Sequence, residues 1–356
     1  MNWHRHVQLL LHENLFHVKY RMSLMAFNKL LDLLPSKLKL NAKFARMAGS
    51  EPISTEIMLH CTIWYLARGS YHDICATAFI SRPSFFHLVW HTIDVINSCD
   101  TLNIDLPRLH ELDKLHSGFY QISMDGVMDV CIGALDGYLM RITAPSHREC
   151  GNVSAYFSGH YCTYGVNVQA VCDADCRVYF YSLAAPGKTN DNIAIKKTSI
   201  PAWLNSLLPG FFVACDCAYS LSEHLISPYS GPQHFLEKCD NFNFYLSQLH
   251  IRIEMAFGLL VTKWRIFHTP INVKFSILPR LLNATMRLHN YCIDNREATI
   301  GLQRIYKVPD TQQLPHEPTQ LAYIPTDAPN VVSREGSSHL RTILTNRVQN
   351  DNHHVL

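Results

Sequence analysis

Three carboxylates in three different local settings are the residues of this chain best placed to do chemistry. Asp136 sits inside the apolar run Val-Cys-Ile-Gly-Ala-Leu-Asp-Gly-Tyr-Leu-Met-Arg-Ile, residues 130–142. Asp216 closes a second such run, Phe-Phe-Val-Ala-Cys-Asp, which begins at Phe211. Glu254 lies in a long amphipathic stretch, within Arg-Ile-Glu-Met-Ala-Phe-Gly, residues 252–258. A charge in or at the end of an apolar strand is costly unless it is paired or metal-bound. Converging from strand, strand end and helix, three such acids can hold two divalent ions roughly 3.5–4 Å apart for in-line phosphoryl transfer. That is nuclease chemistry. Taken singly, each acid also has a structural explanation: Asp136 in a turn, Asp216 capping a helix at Ala218, Glu254 paired with Lys or Arg.

The elements that must position these acids can be read from pattern. Residues 121–300 run strand, strand, strand, helix, strand, then helices. Asp136 lies on the first strand, and Tyr164–Cys172 alternates as the second. After a turn at Asp173-Ala-Asp175, residues 177–183 return as the third. Ala185-Pro-Gly breaks the chain before a helix from Asn190 to Lys197, with Asn190 as its cap, and the fourth strand delivers Asp216. Helices flanking a mixed sheet give an α/β, ribonuclease-H-like core. In the late helix Leu246, Leu249, Ile253, Phe257, Leu260, Trp264 and Phe267 step by three or four, a buried stripe with Glu254 at its edge. Gly258, one turn on, leaves room above that carboxylate for a ligand backbone.

Residues 1–120 read as all-helical. Met25–Leu34 has helical apolar spacing and ends before Pro35, and a second helix spans Thr55–Ala67. A short helix from Tyr71 to Phe79, a turn at Ile80-Ser-Arg-Pro and a longer helix to Asn97 make a helix-turn-helix-like unit, with Ser81 as N-cap. Its core face would be Leu88, Val89, Ile93 and Ile96; Arg82, Ser84, His87 and His91 would face a DNA groove. Net charge is only +2, but residues 1–50 hold eight Lys/Arg (Arg5, Lys19, Arg21, Lys29, Lys37, Lys39, Lys43, Arg46) against Glu13 and Asp32, a local +6. Such a bias suits either a phosphate backbone or a solvated helical surface.

Of the 356 residues, 47% are hydrophobic, enough for a substantial core. No run of 18 apolar residues marks a membrane span, and nothing after Met1 reads as a cleavable signal. Twelve cysteines form no C-x-x-C pair, which points to buried free thiols in a reducing compartment. A helix, Ile277 to Cys292, precedes a polar tail over residues 301–356 with Pro309, Pro315, Pro318, Pro325 and Pro329, expected to be partly mobile apart from a short helix over 337–349.

An ordered set of short motifs adds to this reading: Ile132-Gly-Ala-Leu-Asp-Gly-Tyr138, Tyr164-Gly-Val-Asn-Val-Gln-Ala-Val-Cys-Asp173, Ala185-Pro-Gly-Lys-Thr-Asn-Asp191, Cys215-Asp-Cys-Ala-Tyr-Ser-Leu221, Arg252-Ile-Glu-Met-Ala-Phe-Gly258, Lys263-Trp-Arg-Ile-Phe267 and Leu288-His-Asn-Tyr-Cys292. In order and spacing, the chain resembles the PIF/Harbinger group of DDE transposases and the host proteins derived from them. By this resemblance Asp136, Asp216 and Glu254 match the catalytic, metal-ligating acids, and Asp191 matches an acid of less defined role, either a helix cap or a contributor to the active site. Met255 and Val261 depart from the group, which often has Arg and Lys there. The resemblance implies a DDE-type DNA endonuclease or transposase using two Mg²⁺ or Mn²⁺ ions, Asp136 bridging both and Asp216 and Glu254 each holding one. It further implies DNA ends with terminal inverted repeats as substrate, a separate Myb/SANT-like DNA-binding partner protein and a nuclear setting, and it admits a homo-oligomer. The alternative is a domesticated nuclear DNA-binding or recruiting protein without nuclease activity.

Overall fold

A computed structural model of the chain describes residues 1–34, 38, 52–123, 126–296 and 338–352. The amino-terminal part is helical, as its patterning predicts: α1 (Trp3–His12), α2 (Phe16–Tyr20), α3 (Leu24–Leu33), α4 (Thr55–Leu66), α5 (Tyr71–Ala78) and α6 (Arg82–Asn97). Hydroxyl caps set two of the starts. Ser23 Oγ accepts from Ala26 N at 3.1 Å, and Ser81 Oγ accepts from Ser84 N at 3.3 Å. The residues expected inside α6, Leu88, Val89, Ile93 and Ile96, are fully buried.

The face of α6 expected to meet DNA is partly engaged within the chain. Arg82 lies over the rings of Tyr71 and Phe86, and Ser84 Oγ bonds Ser81 Oγ. His87 and His91 line a groove closed by an Asp94–Arg280 ion pair that reaches across to the core. Of the basic residues counted at the amino terminus, Lys37, Lys39, Lys43 and Arg46 lie outside the described residues.

After α7 (Leu112–Ile122) the chain enters a sheet of β1 (Cys131–Arg141), β2 (Phe157–Ser158), β3 (Thr163–Cys172), β4 (Val178–Pro186), β5 (Phe212–Ala214) and β6 (Leu225–Ile226). β1 is central. It pairs antiparallel with β3, which carries β4 antiparallel on its far side and β2 at its beginning. On its other flank β1 pairs parallel with β5, and β5 with β6. This half-antiparallel, half-parallel order is the ribonuclease-H-like arrangement expected. The helix expected over Asn190–Lys197 is shorter, α8 (Asp191–Ile195), followed by α9 (Ile200–Leu204).

Two apolar layers sandwich the sheet. Ala134, Met140, Val168, Ala170 and Ala214 face α10 (Glu237–Lys263). The predicted stripe from Leu246 to Phe267 is buried throughout, but the helix stops at Lys263, and Trp264 and Phe267 belong to its cap and to the 3-10 turn after it. Leu135, Val171, Val213 and Cys215 face the other way, against α8, α9 and Leu112. α11 (Leu278–Asp294) explains the Leu-His-Asn-Tyr-Cys motif. His289 Nε2 meets Cys176 O at 2.9 Å, Asn290 bonds both the N–H and the carbonyl of Val178, and Tyr291 OH donates to Ala26 O at 2.6 Å. One turn of helix thus ties the β3–β4 connection to the amino-terminal helices.

The expected terminal helix is α12 (His339–Asn352), and it packs on α10 through buried Leu340, Leu344 and Val348. The Pro-rich stretch before it lies outside the described residues. All twelve cysteines are free and most are buried, with Cys162 and Cys217 exposed. Among the described residues no helix is long and apolar enough to cross a membrane.

Candidate active site

Strand register brings two of the three acids together. Ala134 on β1 lies opposite Ala214 on parallel β5. Asp136 and Asp216 each follow that pair by two residues. With a side-chain period of two, both carboxylates leave the same face, on backbones roughly 4.8 Å apart. That face is the one covered by α10. Each acid is anchored locally: Asp136 Oδ1 accepts from Gly137 N at 2.6 Å, and Asp216 Oδ1 accepts from Ala218 N at 3.0 Å. The second bond closes a turn, and no helix follows at Ala218, so Asp216 sits in the turn just past β5 rather than capping a helix.

Glu254 arrives from α10. Ile253 and Phe257 beside it are buried, while its own side chain is 60% exposed. Gly258, one turn on, has nothing within 4 Å of where a Cβ would stand, so the space above the carboxylate is open.

A fourth residue, not foreseen from sequence, sits among them. His250 is one turn before Glu254, with Nδ1 3.6 Å from Glu254 Oε1 and Nε2 3.2 Å from Leu135 O. Both neighbours are acceptors, so the ring fits as an imidazolium donating from both nitrogens. The spacing was visible, since a His four residues before a Glu on a helix is a facing pair.

The electrostatics follow from this crowding. Burial, then the charge of Asp216, raises Asp136 well above the usual carboxylate range, and His250 opposes this. Asp216 is raised as well, by burial first, with Asp191 and Glu254 adding. The hydrogen bond from His250 holds Glu254 below its ordinary value. Burial alone would lower His250, but Glu254, Asp136 and Asp216 together raise it.

Asp191 stands on the opposite side of the sheet. Its Oδ1 accepts from Asn167 Nδ2 and Gln169 Nε2, both at 2.8 Å, and Gln169 in turn accepts from Tyr219 OH at 2.7 Å. The cap of α8 is Asn190, as expected, whose Oδ1 accepts from Asn192 N, so Asp191 is not the helix cap: its Oδ1 is taken up by Asn167 and Gln169. A Cβ on Gly137 would come 2.1 Å from Asp191 Oδ1, so only glycine lets the carboxylate lie against β1 there. Asp191 thus braces the strand that carries Asp136.

The donor set fits divalent ions in kind: hard carboxylate oxygens, two of them strained by mutual repulsion that a cation relieves. As they stand, no three His, Cys, Asp or Glu side chains among the described residues converge on one point, and Glu254 is turned to His250.

Comparison with known proteins follows the same residues. Residues 135–290 match the family described as DDE superfamily endonuclease, a span that contains Asp136, Asp216 and Glu254. A relative from Arabidopsis thaliana, "Protein ALP1-like", is 23% identical over 307 residues, covering 81% of this chain and 73% of its own length. No solved structure matches. Over residues 135–290 the chain is therefore similar to the DDE superfamily endonucleases.

Proposed function

We propose that the protein is a metal-dependent DNA endonuclease of the transposase kind, with Asp136, Asp216 and Glu254 as the ligands of two Mg²⁺ or Mn²⁺ ions. The observation that carries this reading is the shared register of Asp136 and Asp216, which crowds two carboxylates on one face beneath α10, with the charge of His250 opposing their repulsion. Bound there, the ions would supply an activated water or DNA 3′-hydroxyl and stabilise the leaving oxygen. The chain's own residues do the rest. His250 pins α10 to β1 through Leu135 O and aims Glu254. Asp191 braces β1 from behind. Gly258 keeps the approach clear for a DNA backbone.

This reading carries with it strand transfer at DNA ends bearing terminal inverted repeats, work in the nucleus and a separate Myb/SANT-like partner for sequence recognition. The partial engagement of the α6 face within the chain supports that division of labour. A second reading, a domesticated DNA-binding or recruiting protein, is favoured by one contact: His250 already neutralises Glu254 without a metal.

Incubation with supercoiled plasmid separates the two. The first reading expects nicking that needs Mg²⁺ or Mn²⁺ and stops with chelator. Folded, metal-loaded protein that leaves the plasmid intact supports the second.

A further inference from the structure

Away from the carboxylates, four arginines and a histidine from four distant parts of the sequence meet at one place. Arg21 follows α2, Arg68 follows α4, Arg141 ends β1, and Arg265 and His268 belong to the 3-10 turn after α10. Arg141 Nη2 donates to His268 O at 2.6 Å, which locks the strand end to that turn. Burial, then the charges of Arg265, Arg68 and Arg141, lowers His268, and burial, then Arg265, lowers Arg21. These groups therefore repel one another. No carboxylate pairs with any of them among the described residues, although Arg177, Arg280 and Arg347 elsewhere are each paired with an Asp.

Two further features mark these positions. Arg21 and Arg68 both adopt the left-handed backbone, φ 59° and 73°, where glycine would be free of strain. Arg21 Nε is buried without a partner. Arg68, Arg141 and Arg265 remain exposed. An unneutralised, strained, partly exposed group of arginines has the chemistry of a polyanion seat.

We infer that Arg21, Arg68, Arg141 and Arg265, held together through the turn that ends at His268, grip the phosphate backbone of the DNA whose scissile bond lies at the carboxylates. The inference rests on the endonuclease reading. Asp136 and Arg141 share β1 and are five residues apart, about 17 Å. That is about five base-pair rises of B-DNA. Arg21 and Arg68 come from the amino-terminal helices, so the seat also makes that region part of the DNA grip without using the α6 face.

The test is duplex DNA binding by the uncleaving Asp136→Asn protein without divalent metal, followed against salt. Arg68→Ala/Arg265→Ala is added to that background, and Arg108→Ala/Lys114→Ala, which removes the same charge elsewhere, is the control. The expected result is weaker binding for any duplex sequence and a plot of log affinity against log salt that is shallower by about 1.8, or about 0.9 per lost contact. The control keeps the original slope, and neither variant melts below the parent. An unchanged slope and affinity in Arg68→Ala/Arg265→Ala overturns the inference and leaves plasmid cleavage to judge the endonuclease reading. Equal losses in the control, or a loss confined to duplex RNA or heparin, also overturn it. So does a parent protein with no salt-sensitive DNA binding.

Discussion

His250 Nδ1 lies 3.6 Å from Glu254 Oε1, one helical turn away, while the other ring nitrogen meets the carbonyl of Leu135. One imidazole thereby connects the helix that carries the third acid to the strand that carries the first. Replacing it with alanine is expected to lower metal-dependent cleavage by about 10- to 100-fold, the usual scale for a residue that orients a ligand. His250→Gln, which keeps a donor for Leu135, recovers part of the loss, and DNA affinity stays within about twofold for both. Full cleavage by His250→Ala would remove the positioning role.

Asp136 and Asp216 repel each other beneath α10, so the metal-free protein is less stable than its core allows. Asp136→Asn removes one charge and keeps the shape. A gain on the order of 1 kcal/mol is expected at neutral pH, about 1–2 °C in melting temperature for a chain of this length. Mn²⁺ should raise the melting temperature of the wild type and not that of the variant. Equal stabilisation of both by Mn²⁺ would show that the ions bind elsewhere.

Gly258 offers a trade between stability and access. Alanine there should stabilise α10 by up to about 1 kcal/mol, since glycine is a poor helix former and the site has open space around it. If a DNA backbone passes over that turn, bulkier Gly258→Leu slows cleavage while the protein stays folded. Unimpaired cleavage by Gly258→Leu would mean that the glycine serves helix packing alone.

Much of this site was legible in sequence because its parts are local. Ser81 announces a helix start with its hydroxyl, and the stripe from Leu246 to Leu260 fixes which side of α10 is buried. Asp136 and Asp216 stand out because they interrupt apolar runs. What was not legible depends on distant pairing. β5 is three residues long, and its register against β1 is set by the whole sheet. Arg21, Arg68, Arg141 and Arg265 look like scattered surface charges until the fold gathers them. The docking of α12 on α10 joins segments separated by about seventy residues, beyond any local period.

The buried histidine of α11 should make stability depend on pH. Burial, opposed by the bond to Cys176 O and reinforced by Lys263, Arg296 and Arg177, lowers His289 to about 4. The neutral ring is favoured in the folded state and the unfolded chain titrates near 6.5, so its contribution is complete above that pH. It is lost as pH falls from 6.5 to about 4. Denaturant melts of wild type and His289→Asn should therefore converge over this window, by on the order of 3 kcal/mol. A difference that stays constant with pH would mean that the ring is not held neutral.

The most direct measurement is the rate of plasmid nicking in Mg²⁺ or Mn²⁺ by wild type beside Asp136→Asn, Asp216→Asn and Glu254→Gln. If the three acids share one metal site, the wild type nicks and every single amide variant falls by at least about 100-fold with its fold intact. Nicking by Asp136→Asn at the wild-type rate would contradict that assignment outright.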